Sequence, residues 1–377
     1  MRARVRDVAS VVLLAIGAAT ASAQPVRRMP LKPANATLDA EFVGITSLRE
    51  VADGRVIVTD GRDQQLYLAD FKGNSASVLG RKGKGPGEWL NVGFVQALSG
   101  DSSIMGDFGN GRMLLFDGAR IVGLVPPDHP SAMISLSSMS GADRFGHLLG
   151  RKEDPADAAK LEFTRADSSA LVLVALSTGR LDTVAKLRQR PRRVNVILGS
   201  DGKARGRVLE PSEPNAQEEI ARLFADGWIA VVRLEPLRVD WRSPDRRWTQ
   251  GAPFPLRPMA VDARERKAIE ARRAQSREET RKMGMPERQF PPLPTSIPVM
   301  AISVVLRETP DGRLLIRRST SEADPAVRYL VINRAGTIDG EIVVSARADI
   351  IGFGPRSIYI AFKDDDDIQR LRRHPWP

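Results

Sequence analysis

Apolar and polar positions alternate along most of the chain, and turn-forming residues cut the alternation at short intervals. Between Ile45 and Gly80, ITSLREVADGRVIVTDGRDQQLYLADFKGNSASVLG holds four such runs, broken at Asp53-Gly54, Asp60-Gly61 and Lys72-Gly73-Asn74. Asp-Gly between alternating apolar positions signals a hairpin, because the tight turn needs positive φ. The order recurs in VGFVQALSGDSSIMGDFGNGRMLLFDGARIVGLV, with turns at Ser99-Gly100-Asp101, Gly109-Asn110-Gly111 and Asp117-Gly118. A looser copy joins ISLSSMSGADRFGHLLGRK to SALVLVALSTGRLDTVAKL across a polar insertion. Further copies run from Ile220 to Phe254 and from Met300 to Val344, and a last one, from Ala348 to Trp376, shows only three strands.

Repeats of about 40 residues with four strands each are the pattern of propeller blades. An all-β, six-bladed β-propeller is therefore expected, with a sandwich or a pair of β-domains as the alternative. The short last repeat and the unassigned strand TLDAEFVGI near the start complement each other. The N-terminal strand is expected to complete the last blade, which removes two sheet edges.

One segment breaks the pattern. Residues 261–284, VDARERKAIEARRAQSREETRKMG, carry eight Lys/Arg and five Asp/Glu without β-type alternation. Asp262 precedes Arg266, and Glu278 precedes Lys282, by four residues, a spacing that favours ion pairs on a helix. The segment reads as a charged helical insertion with a thin apolar stripe, lying on the rim in water and partly disordered.

The remaining chemistry places the chain outside the cytoplasm. Arg2, Arg4 and Arg6 precede an apolar run from Val8 to Ala19 and then Ala21-Ser22-Ala23. That is the form of a secretory leader cleaved after Ala23, and the run is short for a bilayer span. The expected organisation is leader 1–23, linker 24–36 and propeller 37–377, exported to the periplasm or beyond, with no lipid and no membrane span. The chain has no cysteine, which excludes disulfides, thiolate metal sites and a cysteine nucleophile. The formal charge of +11 raises acidic polymers or an anionic surface as partners; export argues against DNA. A monomer and no cofactor are expected.

The stretch LGRKGKGPGEWLNV, Leu79 to Val92, poses the question of a phosphate cradle. A phosphate loop needs Lys and then Ser or Thr after its last glycine, and a helix to follow. Here Gly87 is followed by Glu88 and Trp89, and the next element is a strand, so the stretch reads as a blade connector. The pattern Gly80, Arg81, Gly83, Gly85, Pro86, Gly87, Glu88, Trp89 resembles the connector after the first blade in an exported bacterial family of six-bladed propellers related to NHL-repeat propellers. GDFGNGRMLLFD resembles the second-blade phrase of that family, with Asp107, Asn110, Arg112 and Phe116 in place. The resemblance implies the fold, and it leaves function undetermined because propellers host many activities. Blades three and four depart from it through insertions at Glu153–Ser169 and Arg192–Gln217.

No catalytic motif emerges. The three histidines, His129, His147 and His374, are scattered, with His147 read as structural, and neither GxSxG nor HExxH occurs. The run Asp364 to Asp367 lacks the spacing of a calcium loop and reads as a solvated turn. Trp228, Trp241 and Trp248 read as blade-packing residues. The candidate ligand-binding residues are the cations Arg81, Lys82, Lys84, Arg112, Arg233 and Arg238; Gly83, Gly85, Pro86, Gly87, Glu88 and Trp89 form a structural motif. Three functions remain: a non-enzymatic binding or scaffold module for a small molecule or protein, a metal-dependent lactonase-type hydrolase or lyase at the central channel, and a binder of acidic polymer or membrane surface.

Overall fold

The computed structural model describes residues 26–125, 129, 139–152, 162–164, 167–189, 193–198, 204–209, 217–282, 290–301 and 305–376. The expected leader and its cleavage point lie outside these residues. The architecture is a ring of six blades with, among the described residues, one helix. Blade 1 is the antiparallel meander Ile45–Glu50, Val56–Asp60, Gln65–Asp70, Ser75–Val78. Blade 2 runs Val92–Ala97, Ser102–Asp107, Arg112–Asp117, Arg120–Val125, and blade 4 runs Ile220–Leu223, Ile229–Leu234, Leu237–Arg242, Trp248–Thr249. Blade 5 consists of Arg307–Glu308, Leu314–Arg317, Val327–Ile332 and Ile338–Val344. In blade 3, His147–Arg151, Ser168–Ala175 and Leu181–Arg188 pair in order, and an inner edge is marked by the bridge from Ala142 to Leu148.

Blade 6 closes the ring as the alternation predicts. Ala348–Gly354, Ser357–Lys363 and Gln369–Pro375 supply three strands, and Ala36–Phe42 adds the outer one with Leu38 opposite Leu371. The segment expected as a linker is itself held: Met29 N–H donates to Glu341 O and Glu341 N–H to Arg27 O, at 2.8 Å each, along the outer strand of blade 5.

The core explains why the second strands carry runs of consecutive apolar residues, as in Val56-Ile57-Val58 and Ile229-Ala230-Val231-Val232. The buried side chains fall into six clusters, each shared by two neighbouring blades. Successive residues of a strand point to opposite faces, and here both faces are interior. In blade 4, Ile229 and Val231 face blade 3 while Ala230 and Val232 face blade 5. In blade 1, Ile57 faces blade 2 while Val56 and Val58 face blade 6. Each such Val or Ile contributes roughly 1.5–3 kcal/mol by leaving water.

The two insertions meet one another rather than extending their own blades. Glu162–Thr164, Arg193–Leu198 and Ala204–Leu209 form a separate three-stranded sheet in which Glu162 lies opposite Asn195; the rest of 153–166 and 190–216 lies outside the described residues. The helix, α1, spans Ala263–Lys282, two residues shorter at each end than the charge pattern suggests, and 283–284 are outside the described set. Asp262 caps it, its carboxylate accepting the Glu265 N–H at 2.8 Å, a role that replaces the expected pair with Arg266. Glu278 does pair with Lys282, at 3.7 Å. The helix is docked by polar contacts where a free rim segment was expected. Glu265 is buried and accepts the Glu322 N–H at 2.8 Å, and Arg272 pairs with Glu322.

Candidate ligand site in the central channel

The inner strands of the blades wall the channel, and each ends in a tight turn. In five blades the residue opening that turn donates its N–H to the carbonyl four residues on: Val51 to Arg55, Leu98 to Ser102, Asp143 to His147, Phe224 to Trp228, Thr309 to Arg313. Two residues earlier stand Arg49, Gln96, Gly141, Arg222 and Arg307. In blade 6 the strand register ends at Gly354 opposite Ser357, so the equivalent residue is Gly352, opposite Tyr359. One level of the channel therefore carries three arginines, from blades 1, 4 and 5. With Gln96 and Gly352 of the same level they line a cavity of about 320 Å³.

Two of these arginines have a carboxylate nearby, Glu308 for Arg222 and Asp349 for Arg307, but no direct ion pair. Arg222 and Arg307 form no ion pair or side-chain hydrogen bond with any described residue, and Arg222 Nε is buried without a partner. Burial disfavours the charged form of both. It lowers the Arg222 pKa, against the attraction of Glu308, and takes Arg307 down to about 10. Arg49 is better provided for: Nη2 donates to Gly100 O at 2.9 Å, and Asp101 and Glu50 oppose the downward pull of burial.

Glu308 is the carboxylate of this wall. Both of its oxygens accept the Ala225 N–H of blade 4, at 3.1 Å each. Burial pushes its pKa up to about 7, against the pull of Arg222 and of that hydrogen bond. The neighbouring carboxylates are engaged elsewhere. Asp349 receives Arg317 Nη1 at 3.1 Å and the Tyr329 hydroxyl, and Glu50 receives the Tyr359 hydroxyl at 2.7 Å. Among the described residues no group of three His, Cys, Asp or Glu is placed to hold a metal ion.

The cations singled out from sequence lie away from this cavity. Arg112 clamps the connector after blade 1, donating to the carbonyls of Lys84, Gly85 and Glu88 at 2.9–3.0 Å. Its other partner, the fully buried Asp107, also accepts the N–H groups of Leu90 and Asn91. Arg81 pairs with Glu88 at 2.6 Å, while Lys82 and Lys84 are exposed. Arg233 joins Glu219 to Asp240, and Arg238 joins the same Asp240. Each paired arginine here already has its carboxylate.

The connector motif is organised around Trp89, which is fully buried between blades 1 and 2 with Ile57, Leu66, Met105 and Leu114. Gly87 has φ +73°, as a positive-φ turn requires. Gly83 and Gly85 do not have positive φ; their Cβ would meet the Glu88 carboxylate, at 2.1 and 3.0 Å. That carboxylate folds back to accept the Gly85 N–H, at 2.7 Å. This hydrogen bond, with that from Arg81, holds its pKa below the usual range. Pro86 sits exposed at the tip.

The other sequence candidates have structural surroundings. His147 Nδ1 lies 2.9 Å from Asp143, His129 Nε2 lies 3.0 Å from Leu176 O, and His374 meets Lys32 O. Trp241 is buried, Trp228 is covered by Arg334 at 4.8 Å, and Trp248 is exposed. Asp364 pairs with Arg370 and Asp367 with Arg347.

The channel arginines did have a sequence signal. Arg49, Arg222 and Arg307 each stand four residues before an Asp-Gly turn, in LREVADG, ARLFADG and LRETPDG. Aligning repeats on the turn, rather than on the strands, superposes them.

No family model matches the chain, and no curated protein matches it. Several solved structures align along most of the chain at low similarity. A Bacteroides fragilis protein designated as exported aligns over 92% of this chain and 94% of its own, at 10% identity and a TM-score of 0.46. The calcium-binding protein regucalcin of Agrobacterium tumefaciens aligns over 94% and 97%, at 10% identity and 0.40. Virginiamycin B lyase of Staphylococcus aureus aligns over 90% and 97%, at 10% identity and 0.39.

Proposed function

We propose that the protein is an exported, non-enzymatic binding module that holds a small anionic ligand at the arginine level of its central channel. The observation that carries this reading is the pair Arg222 and Arg307, from adjacent blades, facing one cavity with no ion pair or side-chain hydrogen bond to a described residue. Two like charges in a partly desolvated cavity repel, and an anion entering between them would gain what the surrounding protein does not supply. Export is supported by the basic, apolar and Ala21-Ser22-Ala23 segments of the leader. Sequencing of the mature N-terminus is expected to begin at Gln24.

The binding is tested by thermal denaturation with acetate or inorganic phosphate. A ligand that binds only the folded state stabilises by about 2.7 kcal/mol at a hundred times its Kd. The melting temperature is expected to rise for the wild type and not for the Arg222→Gln, Arg307→Gln double variant. Equal shifts in both proteins would refute the site.

A second reading, hydrolysis or elimination at the same channel, draws on Glu308, whose pKa of about 7 suits proton transfer near neutrality. Turnover of a lactone or cyclic ester, lost in Glu308→Gln, would favour it over binding alone.

A further inference from the structure

The cavity has two chemically different sides. The charge that has no protein partner lies where blades 4 and 5 meet, on Arg222 and Arg307 beside Glu308; across from it Arg49, already held by Gly100 O, and Gln96 stand beside the apolar Leu48, Phe94, Ile351 and Phe353 of blades 1, 2 and 6. A fully hydrated multivalent anion would set oxygens against that apolar wall and lose water without replacement. A molecule with one anionic end and an apolar body satisfies both sides. At about 320 Å³ the space lies at the small end of the range of ligand pockets.

Glu308 shares the charged side with the incoming group. The charges acting on it are those of Arg222 and Asp226 in blade 4 and of Arg334 in the outer hairpin of blade 5; Arg307 precedes it on its own strand. Arg334 is occupied by Asp226, at 2.6 Å, so the two largely offset each other. Arg222 remains as the cation that both Glu308 and a bound anion would use. Two carboxylates at one cation compete unless one of them carries a proton.

We infer that the ligand is an organic monocarboxylate with an apolar body, its carboxylate set against Arg222 and Arg307, and that Glu308 takes up a proton to admit it. This rests on the channel reading above. Protonated, Glu308 becomes a donor to the ligand carboxylate; ionised, it repels it. With its pKa at about 7, Glu308 passes from mostly protonated at pH 6 to mostly ionised at pH 8, which lowers the affinity about tenfold over that range.

Calorimetric titration of the full chain with phenylacetate and with inorganic phosphate, at pH 6 and pH 8, tests the inference. Phenylacetate is expected to bind more tightly than phosphate, about tenfold more tightly at pH 6 than at pH 8. Glu308→Gln, which mimics the protonated acid, is expected to bind at both pH values as the wild type does at pH 6. Lys82→Gln, exposed and remote from the cavity, is expected to bind as the wild type and so controls for the handling of a charge change. Phosphate equal to phenylacetate would overturn the ligand class. A wild-type affinity independent of pH, or a pH dependence that survives in Glu308→Gln, would overturn the proton. Failure of phenylacetate to bind at pH 6 would overturn the inference entirely, while the thermal shifts with acetate or phosphate judge the anion site separately.

Discussion

Replacing Trp89 with alanine removes the residue around which the blade 1 to blade 2 connector is built. The indole is fully buried among Ile57, Leu66, Met105, Leu114 and Phe116. A tryptophan buries about 150–250 Å², which at about 25 cal/mol per Å² is about 4–6 kcal/mol of transfer free energy. Its Nε1 is buried without a partner, so deletion returns about 1 kcal/mol by removing an unsatisfied donor. The net cost is about 3–5 kcal/mol, in the range for large-to-small changes in a core. Urea unfolding followed by far-UV circular dichroism is the assay, with the slope m compared first to establish that the unfolding reaction is the same. Gly80→Ala supplies a cross-check. Gly80 has φ +78°, and a Cβ there would lie 2.3 Å from Trp89 Cζ3. In the Trp89→Ala background the clash disappears and only backbone strain of about 1–2 kcal/mol remains, so the two changes are expected to be non-additive by at least about 1 kcal/mol. A loss below about 1 kcal/mol for Trp89→Ala at unchanged m, or strict additivity with Gly80→Ala, would refute the wedge.

Three further outcomes follow from the same structure. Deleting 36–42 leaves Gln369–Pro375 as an open edge next to the cluster that holds Leu38 and Leu371; size-exclusion chromatography is expected to show aggregation or a much-lowered melting temperature, and an unchanged melt would show that the termini do not close the ring. Glu308 has a folded-state pKa raised from 4.5 to about 7, so the folded protein binds the extra proton between these values and stability falls as pH rises through them. Glu308→Gln is expected to flatten that dependence and to be more stable than the wild type at pH 8 by up to about 3 kcal/mol, read from urea midpoints; a steeper or unchanged dependence would contradict the burial argument. Arg112→Ala, which leaves Asp107 buried without its cation and three connector carbonyls without their donor, is expected to cost about 3–5 kcal/mol, against less than about 0.5 kcal/mol for the exposed Lys82→Ala and Lys84→Ala.

The blades are legible along the chain because their signals are local. Asp-Gly turns place Gly54, Gly118, Gly227 and Gly312 at positive φ, although after Asp60-Gly61 that angle falls on Gln64; strands alternate with period two, and Gly80 to Trp89 specify a turn whose glycines admit Trp89 and Glu88. Ring closure was legible too, since a three-stranded last repeat and a spare first strand have one economical solution. Only the tertiary structure decided what the charges do. Arg112, Arg233 and Arg238 look as available in sequence as Arg222 and Arg307, yet the first three meet Asp107, Glu219 and Asp240 across strands, while the last two meet one cavity. A cation's availability is a property of the partners that folding brings within a few ångströms, and those partners come from strands and blades distant in the chain. The two insertions teach the same lesson, since Glu162–Thr164 pairs with Arg193–Asn195 through a register that no local pattern encodes. The turn-anchored spacing of Arg49, Arg222 and Arg307 is present in the sequence, but its meaning exists only once the inner edges of blades 1, 4 and 5 meet at one cavity, where equal distances from the turn bring the three arginines together.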